Sequence, residues 1–400
     1  MIDAVTRLIA SAWRVSASFL IAILMTGSAQ AQDSLSNVLS FLLTNRSVAT
    51  GDFARDESAA MATSETLSRA LLVDIATLPV SAAGGGFAYT MNPLIGTVER
   101  ASESFGPVFS ERALTTGRHR LSFGATYRYA EFDRLNGKDL QSGTLVTTAN
   151  QFTDEPQPFD VETLKLNLRA KILTMFASYG VTDRLDVGAA LPIVSLSLDG
   201  ERWDTYRGQT FLQAKASASA TGPADVAIRA KYHILGLRET GLSVSSELRL
   251  PSGSTANLLG VGKASVKLLV IGSVEKGRLA SHVNAGILEG GASGELDYNG
   301  AVTYAVTNRL TLVGEAVGRR LNDLGTITEL ALPNPTIAGV QTIRLVPEAG
   351  GLNTATVVAG VKVNVTRTWL VEAHVLTPAS DSGLHTRPAL MVGLNSSLVR

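Results

Sequence analysis

The chain contains no cysteine, which excludes disulfides, a thiolate metal site and a cysteine nucleophile. Its charge is balanced, with 35 Lys and Arg against 35 Asp and Glu, so it lacks the basic excess typical of nucleic-acid binding. After Met25 it has no apolar run near the roughly 20 residues that a membrane-spanning helix needs. It does have 45% apolar residues and 37 glycines, a combination that favours many strands and turns over a helical bundle.

The first 31 residues are typical of a secretory signal peptide. Arg7 and Arg14 precede an apolar run that reaches Met25, and Ala29-Gln30-Ala31 forms a small-residue cleavage site. The uncharged stretch is shorter than the roughly 20 residues of a membrane anchor. We therefore expect export, with a mature chain that starts at Gln32.

Apolar and polar residues alternate with a period of two through most of the chain. In the segment DVAIRAKYHIL, Val226, Ile228 and Tyr232 share one face, and Arg229 and Lys231 share the other. About twelve segments alternate in this way, each near the length of a tilted membrane-spanning strand. They lie at residues 119–130, 162–172, 184–198, 225–235, 242–250, 262–275, 278–289, 296–306, 309–319, 353–365, 368–377 and 387–396.

The links between these segments alternate between short and long, which a soluble sandwich has no reason to do. Short turns are expected at residues 180–183, 236–241, 275–277, 307–308 and 366–367, and mostly longer links at 132–160, 199–222, 251–261, 320–352 and 378–386. Bacterial outer-membrane barrels show this asymmetry between their two ends. We predict an all-β fold, in which residues 117–400 form a membrane-spanning antiparallel up-and-down β-barrel of about 12 strands.

Residues 32–116 alternate poorly and are predicted to form a separate, partly helical or irregular N-terminal segment. Residues 56–78 carry an irregular apolar stripe that favours a helix. The segment is expected either to stay in the periplasm or to enter the barrel lumen, with a flexible spacer as the alternative. Residues 87–97 and 105–114 are candidates for an additional hairpin, which would give about 14 strands.

One group of short motifs resembles a known family. Gly222-Pro223-Ala224-Asp225 leads into Ala230-Lys231-Tyr232, Glu239-Thr240-Gly241, then Glu247-Leu248-Arg249-Leu250-Pro251-Ser252-Gly253 and Asn257-Leu258-Leu259-Gly260. Together they resemble the MetA-pathway phenol-degradation family, over roughly residues 160–320. The resemblance implies a Gram-negative outer-membrane barrel of transporter type, and it transfers no catalytic motif.

The expected function is therefore an outer-membrane channel or transporter that passes small molecules, with aromatic or hydrophobic compounds implied by the resemblance. A structural or adhesive barrel is the alternative. Polar strand faces supply the expected lumen-lining residues: Arg128, Lys165, Arg169, Lys171, Asp186, Arg229, Lys231, His233, Glu247, Arg249, Lys263, Lys267, His282, Asp297, Glu315, Lys362, Glu372 and His374. When Asp225 is added to this set, its basic residues outnumber its acidic residues. This excess of positive charge predicts a weak anion preference.

The expected partners are outer-membrane lipids, a small-molecule solute and the barrel assembly machinery, and the pattern leaves the oligomeric state open. Such barrels usually finish on an aromatic residue that the assembly machinery reads. This chain ends Asn395-Ser396-Ser397-Leu398-Val399-Arg400, so we expect either that Leu394 or Leu398 takes that role or that the natural terminus differs.

Motifs for chemistry are weak, so neither a cofactor nor a metal is expected. The stretch NLLGVGKAS departs from a phosphate-binding loop, because Asn257 and Ala264 stand where Gly and Ser or Thr are required. The five histidines lack metal-ligand spacing such as HExxH. An outer-membrane hydrolase with a Ser-His-acid triad is the enzymatic alternative, but no G-x-S-x-G marks a nucleophile.

Overall fold

A computed structural model describes residues 33–76, 86, 88–91, 98–237, 240–366 and 368–398. The signal peptide predicted for residues 1–31 lies outside these residues, as does much of the candidate hairpin at 87–97. From Ser34 onward the chain forms one compact unit.

The described elements are two helices and twenty strands. In chain order they are α1 (Leu35–Leu43), α2 (Phe53–Ala76), β1 (Tyr89–Met91), β2 (Val98–Arg100), β3 (Leu121–Leu135), β4 (Lys138–Asp139), β5 (Leu145–Phe152), β6 (Asp160–Gly180), β7 (Leu185–Tyr206), β8 (Gln209–Pro223), β9 (Val226–Leu237), β10 (Thr240–Leu250), β11 (Ser265–Lys276), β12 (Leu279–Gly290), β13 (Glu295–Ala305), β14 (Leu310–Leu321), β15 (Ile327–Pro333), β16 (Val340–Pro347), β17 (Leu352–Asn364), β18 (Trp369–Pro378), β19 (Leu384–Thr386) and β20 (Ala389–Leu398).

Twelve of the described strands close into an antiparallel barrel. Its wall runs β3-β6-β7-β9-β10-β11-β12-β13-β14-β17-β18-β20 and returns to β3. The predicted all-β barrel of about twelve strands is confirmed. The fourteen-strand variant is wrong, because residues 105–114 contain no strand and, within the described residues, β1 pairs with β2 and not with the wall.

The two ends of the barrel differ as the link lengths predict. Five short connections lie at one end, together with the start of β3 and the end of β20. Three of them repeat a local motif, because the hydroxyls of Thr182, Thr307 and Thr366 each accept a hydrogen bond from a backbone N–H two or three residues on. The pattern Val-Thr-x-x-Leu/Trp therefore marks recurring turn chemistry.

At the opposite end, β6 and β7 continue beyond the wall, where further strands extend the same sheet. Their outer halves pair with β5 and β8, and β5 pairs with the β15–β16 hairpin. The result is a six-stranded extension with the order β15-β16-β5-β6-β7-β8. The long links therefore form ordered structure at this end.

The outward face of the wall carries an apolar belt. Ile228, Leu248 and Val302 are 47%, 40% and 50% exposed, as are similar side chains around the circumference. Aromatic rings lie near the short-turn end, where Phe123 and Trp369 meet edge to face with centroids 6.1 Å apart. An exposed belt of this kind is what a bilayer requires of a barrel, so the wall spans a membrane.

Along β6 the polarity of both faces inverts where the strand leaves the belt. Inside the belt, Leu173 and Tyr179 point outward and Ser178 points inward. Farther out the same outward face carries charges such as Lys171, while the inward face carries Leu164 and its neighbours. The register between β6 and β7 is continuous there, so a bulge does not cause the inversion. The medium outside the strand changes instead, from bilayer to water.

Both helices lie against the inner surface of the barrel, at the end that carries the sheet extension. Ser34 caps α1 by accepting a hydrogen bond from the Asn37 N–H, and Leu35, Leu39 and Leu42 are fully buried against β7 and β8. The helix predicted for residues 56–78 is confirmed over its described residues as α2, which contacts β16 and β19. Residues 77 and 78 lie outside the described residues. Among the described residues, neither helix is both long and apolar enough to cross a membrane.

Replacing Val302 by Arg tests the position of the belt. An arginine near the bilayer midplane costs about 2–4 kcal/mol, so the free energy of unfolding should fall by that amount in lipid vesicles. The matched control is Leu330→Arg, because Leu330 is 45% exposed on β15, outside the wall. Equal unfolding free energies for the two variants would contradict the belt.

Candidate functional site

The barrel interior brings together most of the residues predicted to line it. Fourteen of the predicted residues project inward, and nearly all of them are buried: Arg128, Asp186, Arg229, Lys231, His233, Glu247, Arg249, Lys267, His282, Asp297, Glu315, Lys362, Glu372 and His374. Period-two alternation within each strand placed these residues on the polar face. Because the wall closes into a barrel, that face becomes the interior.

The other four predicted residues lie elsewhere. Lys165, Arg169 and Lys171 project from the outer face of β6 above the belt, and Arg169 pairs with Asp199 at 2.7 Å. Lys263 is exposed in the link before β11. The expectation that these four line the lumen is therefore corrected, because a polar face marks contact with water and, above the membrane, water lies outside.

This correction removes the predicted surplus of positive charge. The inward set keeps six Lys and Arg, matched by six carboxylates when Asp225 is included. Several are paired directly: Lys267 with Asp297 at 2.9 Å, Lys362 with Glu372 at 2.9 Å and Arg249 with Glu247 at 2.7 Å. The basis for the predicted anion preference is therefore absent.

A backbone segment fills the half of the lumen near the short turns. Residues 104–116, which we call the strap, cross the interior before β3 begins. The N–H groups of Val108, Phe109 and Ser110 all donate to the carboxylate of Glu315, at 3.0 Å from Phe109 and 2.8 Å from Ser110. Three donors on one buried carboxylate form a charge-assisted anchor.

Further wall side chains bind the strap along its length. The Lys231 ammonium donates to the carbonyls of Arg112 and Leu114 at 3.2 and 2.8 Å. Arg229 pairs with the strap residue Glu111 at 2.7 Å. Among the described residues, eight more wall residues contact the strap: Asp186, His233, Ser243, Ser273, Asn284, Thr303, Thr311 and Lys362. Most of the polar side chains in this half of the interior therefore bind the strap, and the strap occludes the lumen there.

The outer half of the lumen is filled by an apolar core. Inward leucines and valines of β6 and β7, including Leu166 and Leu196, pack against the buried face of α1 with Leu39 and Leu42. The Leu42 side chain approaches so closely that a Cβ at Gly200 would lie 2.2 Å from it. Porin interiors are polar, so an apolar inner face sealed by a helix is unusual for an open pore.

The motif Pro251-Ser252-Gly253 to Gly260 builds an inward loop that supports this core. The carboxylate of Asp225 accepts hydrogen bonds from the N–H groups of Gly253 and Val261 at 3.0 and 2.9 Å. The backbones of Gly253 and Gly260 touch, since a Cβ on either would lie under 3 Å from the other. Leu258 and Leu259 then enter the core beside α1. The motif therefore has a structural role in closing the barrel mouth.

A small cavity of about 40 Å³ remains beside the last turn of α2. Its apolar side is formed by Leu321, Leu324, Leu352, Leu376 and Leu384. Its polar side is formed by Arg128, Arg319, Asp74 and His385. The sequence predicted only Arg128 among these, because the cavity joins residues of six separate elements that share no local motif.

Two serine–histidine contacts occur in the interior of the barrel. Ser273 Oγ lies 2.9 Å from His282 Nδ1, and Ser243 Oγ lies 3.1 Å from His233 Nδ1. Both serines also bind the strap residue Ala113, and within the described residues the far nitrogen of His282 meets no carboxylate. A triad needs an acid that orients the imidazole and access for a substrate.

Three carboxylates, Asp160, Glu162 and Asp204, gather at the outer end of β6 and β7, beyond the belt. Burial, reinforced by the adjacent Asp204, raises the pKa of Asp160 to about 6. Glu162 is held by Arg202 at 3.3 Å and by the hydroxyl of Ser47, which lies in the link between α1 and α2. The cluster therefore ties the helical link to the sheet extension.

Removing the Glu315 carboxylate should loosen the strap. Hydrogen bonds to charged acceptors contribute about 1.5–3 kcal/mol each, so Glu315→Gln should speed amide hydrogen exchange at residues 108–110 by roughly ten-fold or more. Mass spectrometry of the protein in nanodiscs measures this rate. The control is Glu155→Gln in an exposed turn, and unchanged exchange in Glu315→Gln would refute the anchor.

The raised pKa of Asp160 predicts a pH dependence of stability. A carboxyl group with a raised folded-state pKa contributes stability that is fully present below about pH 4 and is lost as pH rises through about 6. Asp160→Asn should therefore flatten the decline in thermal midpoint over this window, by an equivalent of about 1–2 kcal/mol. The exposed Asp154→Asn serves as control. Parallel pH profiles for all three proteins would show that Asp160 titrates normally.

Comparisons with known proteins add solved structures of related architecture. No protein-family model matches the chain, and no curated protein matches it. It is similar to an outer membrane channel from Pseudomonas putida F1, with 13% identity, a TM-score of 0.47 and coverage of 72% of this chain and 98% of that one. The KdgM porin is 8% identical, with a TM-score of 0.34 and coverage of 69% of this chain and 99% of that one. The NanC porin is 8% identical, with a TM-score of 0.35 and coverage of 68% of this chain and 100% of that one. The resemblance to the MetA-pathway family stays a prediction.

Proposed function

We propose that the protein is a gated outer-membrane channel for small apolar molecules, including aromatic compounds. The observation that carries this proposal is the apolar inner face of β6 and β7, which α1 seals. If α1 moves aside, the exposed path is lined by residues such as Leu166, Leu196 and Leu198. Such a surface favours solutes that leave water readily and gives a sugar or an ion no hydrogen-bond partners.

The outer membrane of a Gram-negative bacterium is the location that fits this barrel. The closed wall leaves its backbone polar groups paired, as a lipid environment demands, and the apolar belt faces the bilayer. The predicted signal peptide provides export, and the short-turn end, which carries both ends of the wall, faces the periplasm. The sheet extension then faces outside.

Transport requires the closed state to open. The strap and α1 together occlude the described part of the lumen, and the cavity of about 40 Å³ beside α2 has room for only a few water molecules. Movement of the N-terminal segment is therefore part of the proposed cycle. The anchors are hydrogen bonds and ion pairs, which can exchange one partner for another.

The test is uptake of an apolar probe across an asymmetric membrane whose outer leaflet is lipopolysaccharide. N-phenylnaphthylamine fluoresces on entering a membrane interior, and purified protein should speed its uptake several-fold over protein-free vesicles. Sucrose entry should stay at the protein-free rate. Glu315→Gln should speed probe uptake further, because the strap is released more often.

Two results would contradict the proposal. Rapid sucrose entry would indicate a conventional polar pore. No acceleration for either solute, in the wild type or in Glu315→Gln, would favour the structural or adhesive barrel, for which the sheet extension would be the exposed part.

A further inference from the structure

The cavity beside the last turn of α2 contains a carboxylate-binding arrangement that is already occupied from within the chain. Arg128 of β3 donates from Nη2 to the Asp74 carboxylate at 3.1 Å and to the Asp74 carbonyl at 3.2 Å. Arg319 of β14 donates to the carbonyl of Val73 at 3.2 Å. Because α2 has no basic residue in its own last turn, the wall supplies the positive charge that its C-terminus needs.

The two partners of the Arg128–Asp74 pair differ in their access to water. The side chain of Arg128 is 7% exposed, whereas that of Asp74 is 23% exposed. If the pair separates, Asp74 can turn to water, but Arg128 is left as a buried cation. Leaving a buried charge unpaired is strongly unfavourable, so separation requires a replacement carboxylate.

A second group in the cavity has an unfilled hydrogen bond. His385 is 92% buried, since 8% of its surface is exposed, and its Nε2 atom has no hydrogen-bond partner within the described part of the chain. It lines the same cavity as Arg128 and Arg319. A polar atom of this kind is aimed at a ligand oxygen or at water.

The rest of the lining is apolar. Leu321, Leu352 and Leu376 are each at most 3% exposed and face the cavity together with Leu324 and Leu384. The cavity as it stands holds only the head of a ligand, so an apolar body would take the space that the end of α2 vacates. A polar head beside arginine and histidine with an apolar body among leucines describes one chemical class.

Building on the proposed function, we propose that this cavity binds amphipathic carboxylic acids, and that the ligand carboxylate replaces Asp74 on Arg128 and thereby releases the C-terminal end of α2. The step is an exchange of ion pairs, in which no covalent bond changes. A neutral molecule of the same shape cannot make the exchange, because it leaves Arg128 without a counter-charge.

The exchange predicts opposite effects of the two partners. The probes are 4-phenylbutyrate and its neutral amide, titrated calorimetrically against full-length protein in nanodiscs, with empty nanodiscs subtracted. Phenylbutyrate should bind at least about ten-fold more tightly than the amide. Asp74→Asn removes the internal competitor and should tighten phenylbutyrate binding about ten-fold, while Arg128→Gln should weaken it by a similar factor. Glu57→Gln, on the exposed surface of the same helix, is the matched control.

A measurement on the wild type covers the case in which a variant fails to fold. Phenylbutyrate should speed hydrogen exchange in the last turn of α2, at residues 73–76, and the amide should not. Equal binding of acid and amide, weaker or unchanged binding in Asp74→Asn, or no change in exchange would each overturn the inference. Probe uptake across the asymmetric membrane is measured in parallel. If probe uptake is normal but the protein does not prefer phenylbutyrate over its amide, only this inference is refuted. If phenylbutyrate binds as predicted but the probe is not taken up, only the proposed function is refuted.

Discussion

The structure depends on one constraint: the outward face of the wall must suit lipid, so the polar residues of each strand turn inward, where they need partners. In a wide porin, water provides those partners. Here twelve strands enclose a narrower space, and the N-terminal part of the chain provides them. Glu315 meets three backbone N–H groups of the strap, and Lys231 meets two of its carbonyls. The barrel wall and the strap therefore form one hydrogen-bonded unit.

The lumen has two halves with different chemistry, and the two parts of the N-terminal segment match them. The polar half takes an irregular strap, whose unpaired backbone groups bind the inward side chains. The apolar half takes α1, whose backbone groups pair internally and whose leucines fill the space. The small cavity lies beside the last turn of α2, where arginines and leucines meet.

The sequence was sufficient to predict the twelve strands of the wall, the asymmetric links and α2, because period-two alternation and turn residues are local properties. It did not predict β5, β8, β15 and β16, which form within the segments expected to be links. It was not sufficient to decide which medium a face contacts. Lys165, Arg169 and Lys171 share a face, as predicted, but β6 extends past the bilayer, and above it the polar face points outward. The strap was not predictable either, because its backbone bonds go to side chains on many strands and leave no periodic signal.

Whether the strap leaves the lumen during transport is decided by locking the strap in place. Ser104 Oγ and Thr303 Oγ1 lie 2.9 Å apart, and the chain has no cysteine, so the double change Ser104→Cys and Thr303→Cys creates a single disulfide between strap and wall. Uptake of N-phenylnaphthylamine is then measured before and after reduction, with Ser104→Cys alone as control. If the strap must leave, the oxidised protein takes up no probe, and reduction restores uptake to the wild-type rate. Uptake by the oxidised protein as fast as by the reduced one would contradict this requirement.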